Sequence, residues 1–107
     1  MITNGFVTLY RFDNSLGEYT RIGSFSAWIY RQMRTKTTPD GVQAREVYDV
    51  RIPHKIDAGL KSGDLIFFEK TYSHHPDLRL CSRVAAVTEN RTGSAVHWHI
   101  EAENQYR

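Results

Sequence analysis

The sequence has a single cysteine, no long apolar run and no block of like charge, and each absence excludes a class of protein. Cys81 is the only cysteine among the 107 residues, so an internal disulfide and a cysteine-rich zinc site are excluded. No apolar run approaches the roughly 18 residues of a membrane-spanning helix. The first ten residues, MITNGFVTLY, lack a charged region followed by a long apolar stretch, so we expect no secretory signal. These absences indicate a protein made in a reducing compartment, with no membrane partner.

The charge of the chain is nearly balanced. Lys and Arg number 14 against 12 Asp and Glu, for a net charge of +2, and both signs are mixed along the sequence. The pI of 8.8 is therefore weak evidence for a nucleic-acid partner. A hydrophobic fraction of 40% is enough for one modest core. We predict a single β domain over residues 1–107, with a flexible tail at 102–107.

Short β-rich segments separated by polar turns recur along the chain. Counting gives about seven of them, at residues 5–12, 18–24, 25–33, 47–52, 65–68, 83–88 and 95–101. This pattern predicts an all-β fold, a small β-barrel or sandwich of about seven strands. The segment 25–33 is ambiguous because its apolar residues also fit helical spacing. We favour a strand there, and a helix stays open as the alternative.

The stretch 47–68 organises much of this prediction. A strand of alternating residues ends at Pro53, which cannot donate a ladder hydrogen bond. The Gly63-Asp64 turn then leads into four consecutive apolar residues at 65–68. Such a strand needs cover on both faces, so we expect it to be central or to close a barrel. The residues to which we assign turn or core roles are Trp28, Pro53, Gly63, Asp64, Phe67, Asn90, Gly93 and Trp98.

A polar segment at residues 31–46, which we call the arm, is the clearest shift in composition. Its turn sequence Thr38-Pro39-Asp40-Gly41 suits a chain reversal, because proline pre-sets φ and glycine accepts a positive φ. The arm is therefore either an extended hairpin or a mobile loop. Long polar segments in small domains are uncommon and often functional, so we predict an interaction surface. Its candidate residues are Arg31, Arg34, Lys36, Thr38, Pro39, Asp40, Gly41 and Arg45, with His97 and His99 of the last strand.

No constellation in the sequence predicts catalysis. His97 and His99 share one strand face and could present two imidazoles to a metal, but nothing in the spacing brings further ligands to them. The other candidate ligands are His74, His75, Asp77 and Cys81. Cys81 follows an apolar-leaning segment, which is typical of a buried, inert thiol, and no phosphate-binding glycine loop occurs. We therefore expect a protein that is not an enzyme, with no cofactor and no bound metal.

A nucleic-acid-binding β-barrel is the rival interpretation. Exposed tyrosines or phenylalanines of such a barrel could stack on bases, and a basic arm could enter a groove or line a channel. The basic residues of the arm are Arg31, Arg34, Lys36 and Arg45. The carboxylates of Asp40, Glu46 and Asp49 reduce that positive charge, so this interpretation ranks second.

Four pieces of sequence occur in order over nearly the whole chain. They are Val7-Thr8-Leu9-Tyr10, then Trp28 before the arm, then Val50-Arg51-Ile52-Pro53 with Ser62-Gly63-Asp64-Leu65-Ile66, and finally Val87-Thr88-Glu89-Asn90-Arg91-Thr92-Gly93-Ser94 with His97-Trp98-His99. The last, an Asn-Arg-x-Gly-Ser turn leading to a His/Trp strand, is the most specific. In these pieces the chain resembles an uncharacterised family of small tailed-phage proteins, encoded among the head and head–tail joining genes of phages and prophages of Gram-positive bacteria. Phe67-Phe68-Glu69 departs from that family, which more often has a shorter strand and a glycine there.

The resemblance implies a structural protein of the virion, not an enzyme. By fold-level analogy the family looks like the head-completion or stopper proteins, which are small β-barrels with long loops that form rings. The implied role is a homo-oligomeric ring at the head–tail interface, with a minor capsid or tail-terminator component as the alternative. The expected partners are further copies of the chain, the adaptor, the portal, the tail terminator and packaged DNA in the channel. The expected location is the virion, assembled in the host cytoplasm.

Overall fold

The fold is a closed, six-stranded antiparallel barrel. A computed structural model describes residues 3–53, 60–90 and 97–104. The strands are β1 (Gly5–Asp13), β2 (Glu18–Thr38), β3 (Gly41–Ile52), β4 (Leu65–Phe67), β5 (Ser82–Asn90) and β6 (His97–Asn104). They follow one another around the barrel in the order β1-β2-β3-β6-β5-β4, and β4 pairs with β1 to close it. The all-β, small-barrel prediction is confirmed, and none of the described residues forms a helix that could cross a membrane.

β2 joins two segments predicted as separate strands. Residues 18–24 and 25–33 run without interruption into the first half of the arm, giving a strand of 21 residues. The described part of the chain therefore has six strands where about seven were predicted. The helix alternative for 25–33 is wrong, because this segment pairs residue by residue with β1 and β3. Its side chains alternate accordingly: Ala27 is fully buried, whereas Tyr30 is 51% exposed.

β4 closes the barrel, as predicted for the apolar run after the Gly63-Asp64 turn. It pairs with β1 on one side and with β5 on the other. Leu65 and Ile66 are both buried, which agrees with cover on both faces. Gly63 has a φ of 98°, a conformation that favours glycine. Asp64 is buried beside it, so the turn is part of the barrel wall.

Side chains from all six strands fill the barrel interior. The buried members are Val7, Leu9, Ala27, Val50, Ile52, Ile66, Val84, Ile100 and Ala102. Trp98 and Tyr48 pack against them and are partly buried. Burying this much branched apolar surface is the main favourable contribution to folding.

A second, smaller cluster lies on the outside of the barrel. Tyr10, Leu65 and Cys81 form it, with Phe67 packed against them. Tyr10 and Leu65 are cross-strand partners next to the inward-facing pair of Leu9 and Ile66, so they point outward. The loop at 68–81 covers this cluster, and the hydroxyl of Tyr10 donates a 3.1 Å hydrogen bond to a carbonyl of the loop.

The C-terminal strand is longer than predicted. β6 ends at Asn104, so the flexible tail predicted at 102–107 is wrong for its first three residues. Ala102 is fully buried and pairs with Tyr48 of β3 and Val84 of β5. The reason is that the side chains of β6 continue to alternate between the interior and the outside of the barrel up to Ala102. Residues 105–107 lie outside the described residues.

The ends of β3, β4 and β5 lie within two residues of the predicted ones, whereas β3 begins at Gly41, six residues before the predicted start at 47. β3 ends at Ile52 immediately before Pro53, as predicted. β4 ends one residue short of the predicted 65–68 segment. Asn90, which we assigned to a turn, is instead the last residue of β5, because pairing with β6 continues to that position. Gly93 lies outside the described residues.

Candidate functional site

The arm is the distal part of the β2–β3 hairpin. β3 pairs with β6 from Val47 to Ile52, whereas its residues 41–46 have, among the described residues, only residues 33–38 of β2 as partners. The two strands therefore continue past the barrel as a two-stranded ribbon. Of the two alternatives that the sequence left open, the structure has the extended hairpin.

The tip of the arm is the turn that the sequence predicts. Thr38 and Gly41 are cross-strand partners, and Pro39 and Asp40 form the reversal between them. The Thr38 hydroxyl donates a 3.0 Å hydrogen bond to the Gly41 carbonyl. Gly41 has a φ of 125°, which other residues rarely adopt. The tip is therefore held by its own sequence.

The arm has one uncharged face and one basic face, since side chains alternate along a strand and cross-strand partners share a face. Beyond Glu46 the uncharged face consists of Met33, Thr35, Thr37, Val42 and Ala44. Met33 and Val42 are 58% and 70% exposed. On the other face Arg34 and Arg45 are direct partners. Lys36 is two residues further along β2, and its side chain lies outside the described part of the chain.

Glu46 holds the base of the arm on the uncharged face. Its carboxylate pairs with the Arg31 guanidinium and accepts a hydrogen bond from the Asn104 side chain of β6. The Tyr48 hydroxyl donates a third, at 3.1 Å. Burial, and secondly the hydrogen bond to Glu46, raise the pKa of Tyr48. Residues of three strands thus meet at one carboxylate.

Two further glutamates of β6 fix the basic face. Arg34 lies 3.1 Å from the Glu101 carboxylate. Glu103, whose side chain is only 17% exposed, pairs with Arg45 and with Arg83 of β5, each at 3.0 Å. Single exposed ion pairs contribute little, but here they link the arm to two neighbouring strands. The structure therefore places Arg34 and Arg45 of the arm beside β6, the strand that carries the other two predicted surface residues, His97 and His99.

The two histidines of the last strand lie on this same outer face. His99 Nε2 is 3.2 Å from Asp49 Oδ1 of β3, and the Gln32 side chain donates a 2.7 Å hydrogen bond to the other oxygen of Asp49. His97 precedes His99 on the same face and pairs with Asn90 of β5 in register. His99 is thus part of an interstrand polar network.

The other candidate metal ligands lie on a different side of the barrel. His75 is 4.0 Å from Glu18 at the start of β2, and the carbonyl of His74 accepts a hydrogen bond from the β2 backbone. Cys81 is buried in the outer cluster. Its burial, with a smaller effect of the Asp77 charge, raises the pKa of the thiol to about 11. Within the described ranges no group of three His, Cys, Asp or Glu residues could hold a metal ion.

The outer face also carries an aromatic pair that was not among the residues predicted for the interaction surface. Trp28, assigned a structural role, stacks on Tyr30 with ring centroids 5.7 Å apart and ring planes inclined by 13°. The guanidinium carbon of Arg51 is 5.2 Å from the centre of the Trp28 ring. The signal available in the sequence was the Trp and Tyr at alternate positions of a strand. The contribution of Arg51 depends on the β2–β3 register, in which it is the partner of Trp28.

No family model matches this chain, and no curated protein or solved structure is significantly similar to it. The surface of the β2–β3 hairpin has an exposed uncharged face, a basic face whose arginines pair with glutamates, and an aromatic pair beside an arginine.

Proposed function

We propose that the protein is a structural component of a tailed-phage virion at the head–tail interface, a head-completion or stopper-type protein that assembles as a ring. The observation that carries the proposal is the arm, a hairpin that leaves the barrel and exposes an uncharged face. The sequence resemblance to small phage head–tail proteins supports the same class.

The uncharged face of the arm needs a partner surface. A two-stranded ribbon is marginally stable by itself in water. Exposed apolar side chains such as Met33 and Val42, at 58% and 70% exposure, are stabilised when another molecule covers them. Within the proposed ring, that molecule is the neighbouring subunit.

A ring requires two different surfaces on each subunit, one that reaches out and one that receives. The arm supplies the first. Candidates for the second are the exposed leucines of the loop before β5, Leu78 and Leu80, at 56% and 61% exposure. They belong to the loop at 68–81, which is held against β1 and β2 on the outside of the barrel.

The base of the arm is already ordered in the single chain. Glu46, Glu101 and Glu103 fix it through ion pairs with arginines of β2, β3 and β5. A segment that is fixed before assembly loses less conformational entropy when it binds. This preorganisation supports a role in contact with a neighbour.

The first test is composition of the particle. Mass spectrometry of purified virions and of tail-less heads should detect the protein in stoichiometric amounts, and a cryo-EM map of the neck should contain a ring of barrels with arms at the subunit boundaries. Absence of the protein from both particles would refute the proposal.

The second test introduces a charge into the uncharged face of the arm. Val42→Glu should abolish assembly into particles while leaving the melting temperature of the isolated protein unchanged, because Val42 is outside the barrel core. Leu16→Glu is the matched control, since Leu16 is 62% exposed in the β1–β2 turn. If virions assemble equally well with either variant, the arm is not the contact.

Gene deletion separates the alternatives within this class. Loss of a stopper gives heads that package and then leak DNA, whereas loss of a tail terminator gives tails of aberrant length. Loss of a minor capsid component gives defective heads with normal tails. We expect leaking heads.

A further inference from the structure

The outer face of the β2–β3 hairpin combines aromatic and basic side chains in one row. On β2 every second residue from Trp28 points outward, giving Trp28, Tyr30, Gln32 and Arg34 in order. Tyr30 is 51% exposed and stacks on Trp28 with nearly parallel rings. An aromatic pair thus lies in the same row of side chains as Arg34, at the start of the basic face of the arm.

Arg51 differs from the other arginines of this face. Arg34, Arg45 and Arg83 each have a glutamate partner on β6. Arg51 is exposed and lies over the Trp28 ring, and among the described side chains no carboxylate is within ion-pair distance of it. Its charge is therefore available to an anion beside the aromatic pair.

The carboxylates of this face are already engaged. Asp49 accepts from Gln32 and His99, and Glu103 is shared by two arginines. These contacts reduce repulsion of an anionic ligand near Arg51. Asp49 is the cross-strand partner of Tyr30, so its charge offsets that of Arg51 close to the aromatic pair. Over the described side chains of the face, Arg34, Arg45, Arg51 and Arg83 exceed Asp49, Glu101 and Glu103 by one positive charge.

The spacing of the row suits an unpaired strand of nucleic acid. Same-face side chains on a strand repeat at about 6.6 Å, roughly twice the 3.4 Å rise per nucleotide of one strand in a duplex. In an extended, unstacked strand one base can therefore stack on the exposed Tyr30 ring while its neighbours lie beside other side chains of the row. Bases in a duplex are stacked on each other and cannot do so.

We propose that this face binds single-stranded nucleic acid, with a base stacked on the exposed ring of Tyr30 and a phosphate held by Arg51. Aromatic stacking with nearby cations is a general way to bind single strands without sequence preference. The proposal is independent of the ring at the head–tail interface, because it uses the outer sheet face and not the uncharged face of the arm. DNA and RNA share the chemistry, so both are tested.

The experiment measures fluorescence anisotropy of labelled dT12 and rU12 with the purified chain in about 20 mM salt. We expect binding by at least one of them, and quenching of the tryptophan emission on addition of unlabelled oligonucleotide. With one phosphate held, log K should fall with log salt at a slope of about −0.7. A labelled duplex of the same length should bind more weakly.

The variants are Tyr30→Ala and Arg51→Gln, each with a matched control on another side of the molecule. Phe12→Ala also removes an exposed aromatic ring, one that packs edge-on against Tyr19. Arg79→Gln also removes an exposed arginine, one whose charge is paired with Asp77. Tyr30→Ala should weaken binding by about fivefold or more, and Arg51→Gln should reduce the salt slope by about 0.7. Both controls should bind like the wild type.

Three results would overturn the proposal. They are no binding of either oligonucleotide at low salt, a preference for the duplex, and equal losses in the test and control variants. Preference for dT12 over rU12, or the reverse, assigns the ligand to DNA or RNA. Loss of oligonucleotide binding in Tyr30→Ala with normal particle assembly would leave the proposed ring unaffected.

Discussion

The buried carboxylate of Asp64 should be one of the most costly polar groups to remove, because it ties the turn before β4 to a neighbouring strand. Its Oδ2 accepts a 2.9 Å hydrogen bond from the Lys61 backbone N–H, and its Oδ1 accepts one of 3.3 Å from the Phe12 backbone N–H of β1. Its backbone carbonyl accepts a 2.8 Å bond from Val84 of β5. The side chain thus supports the junction at which the barrel closes.

The magnitude follows from these contacts. A hydrogen bond to a charged group contributes about 1.5 to 3 kcal/mol, and its loss leaves a buried N–H unsatisfied. Asp64→Ala removes one well-formed and one longer bond, so we expect a loss of about 3 kcal/mol in the free energy of unfolding. Asp64→Asn keeps one carbonyl oxygen as an acceptor and should lose about half as much.

Urea unfolding followed by circular dichroism at 25 °C measures both variants. Asp40→Ala, at the exposed tip of the arm, is the control and should change stability by no more than about 0.5 kcal/mol. The denaturant dependence should be the same for all four proteins, since none changes the surface exposed on unfolding. A loss below about 1 kcal/mol for Asp64→Ala would show that the turn does not depend on its carboxylate.

Three further predictions concern the outer cluster and the arm. The Cys81 pKa is raised from 9.0 to about 11, so the folded protein should react slowly with a thiol reagent at pH 8 and rapidly in urea; equal labelling rates would contradict the burial. Because the pKa is higher in the folded state, the contribution of the protonated thiol to stability is complete below pH 9 and is lost as the pH rises towards 11. Melting curves across this pH range test that loss. Glu103→Gln removes the carboxylate shared by Arg45 and Arg83, and hydrogen exchange should accelerate in the arm but not in β1; unchanged exchange would mean that the ion pairs do not fix the arm. Gly41→Ala forces a side chain into a φ of 125° at a cost of about 1 to 3 kcal/mol, so exchange at the tip should increase while the barrel melts as before, and an unaltered tip would contradict this.

The barrel strands were largely readable from the sequence because their side chains alternate or are continuously apolar. β3 and the described part of β6 follow the predicted alternation, and the apolar run at 65–68 correctly indicated a strand that closes a barrel. The segment 25–33 stayed ambiguous because its apolar residues fit both periods. Only pairing with β1 and β3 decides between them, and that is a property of the tertiary structure.

The candidate surface was predicted in its parts but not in its assembly. The turn at the tip of the arm was evident, since proline and glycine have fixed backbone preferences. The contacts of Arg34 with Glu101 and of Arg45 with Glu103 were not evident from the sequence. Each joins residues that are far apart along the chain and that meet only through the pairing of the hairpin with β6. The continuity of β2 was hidden by the change from apolar to polar residues at the start of the arm.

Strand lengths show that the barrel closes without the arm. β4 closes the barrel with three residues, and β3 needs only Val47 to Ile52 to pair with β6. The remaining hairpin, residues 33–46, contributes none of the buried residues of the interior core, yet ordering each residue costs about 1 to 2 kcal/mol of conformational entropy. Such a ribbon also presents strand edges that invite pairing with other chains, a hazard that charged side chains reduce. A hairpin that costs entropy and exposes strand edges without adding to the core supports the proposal that a partner covers it, and in that proposal the partner binds the exposed face of Met33 and Val42.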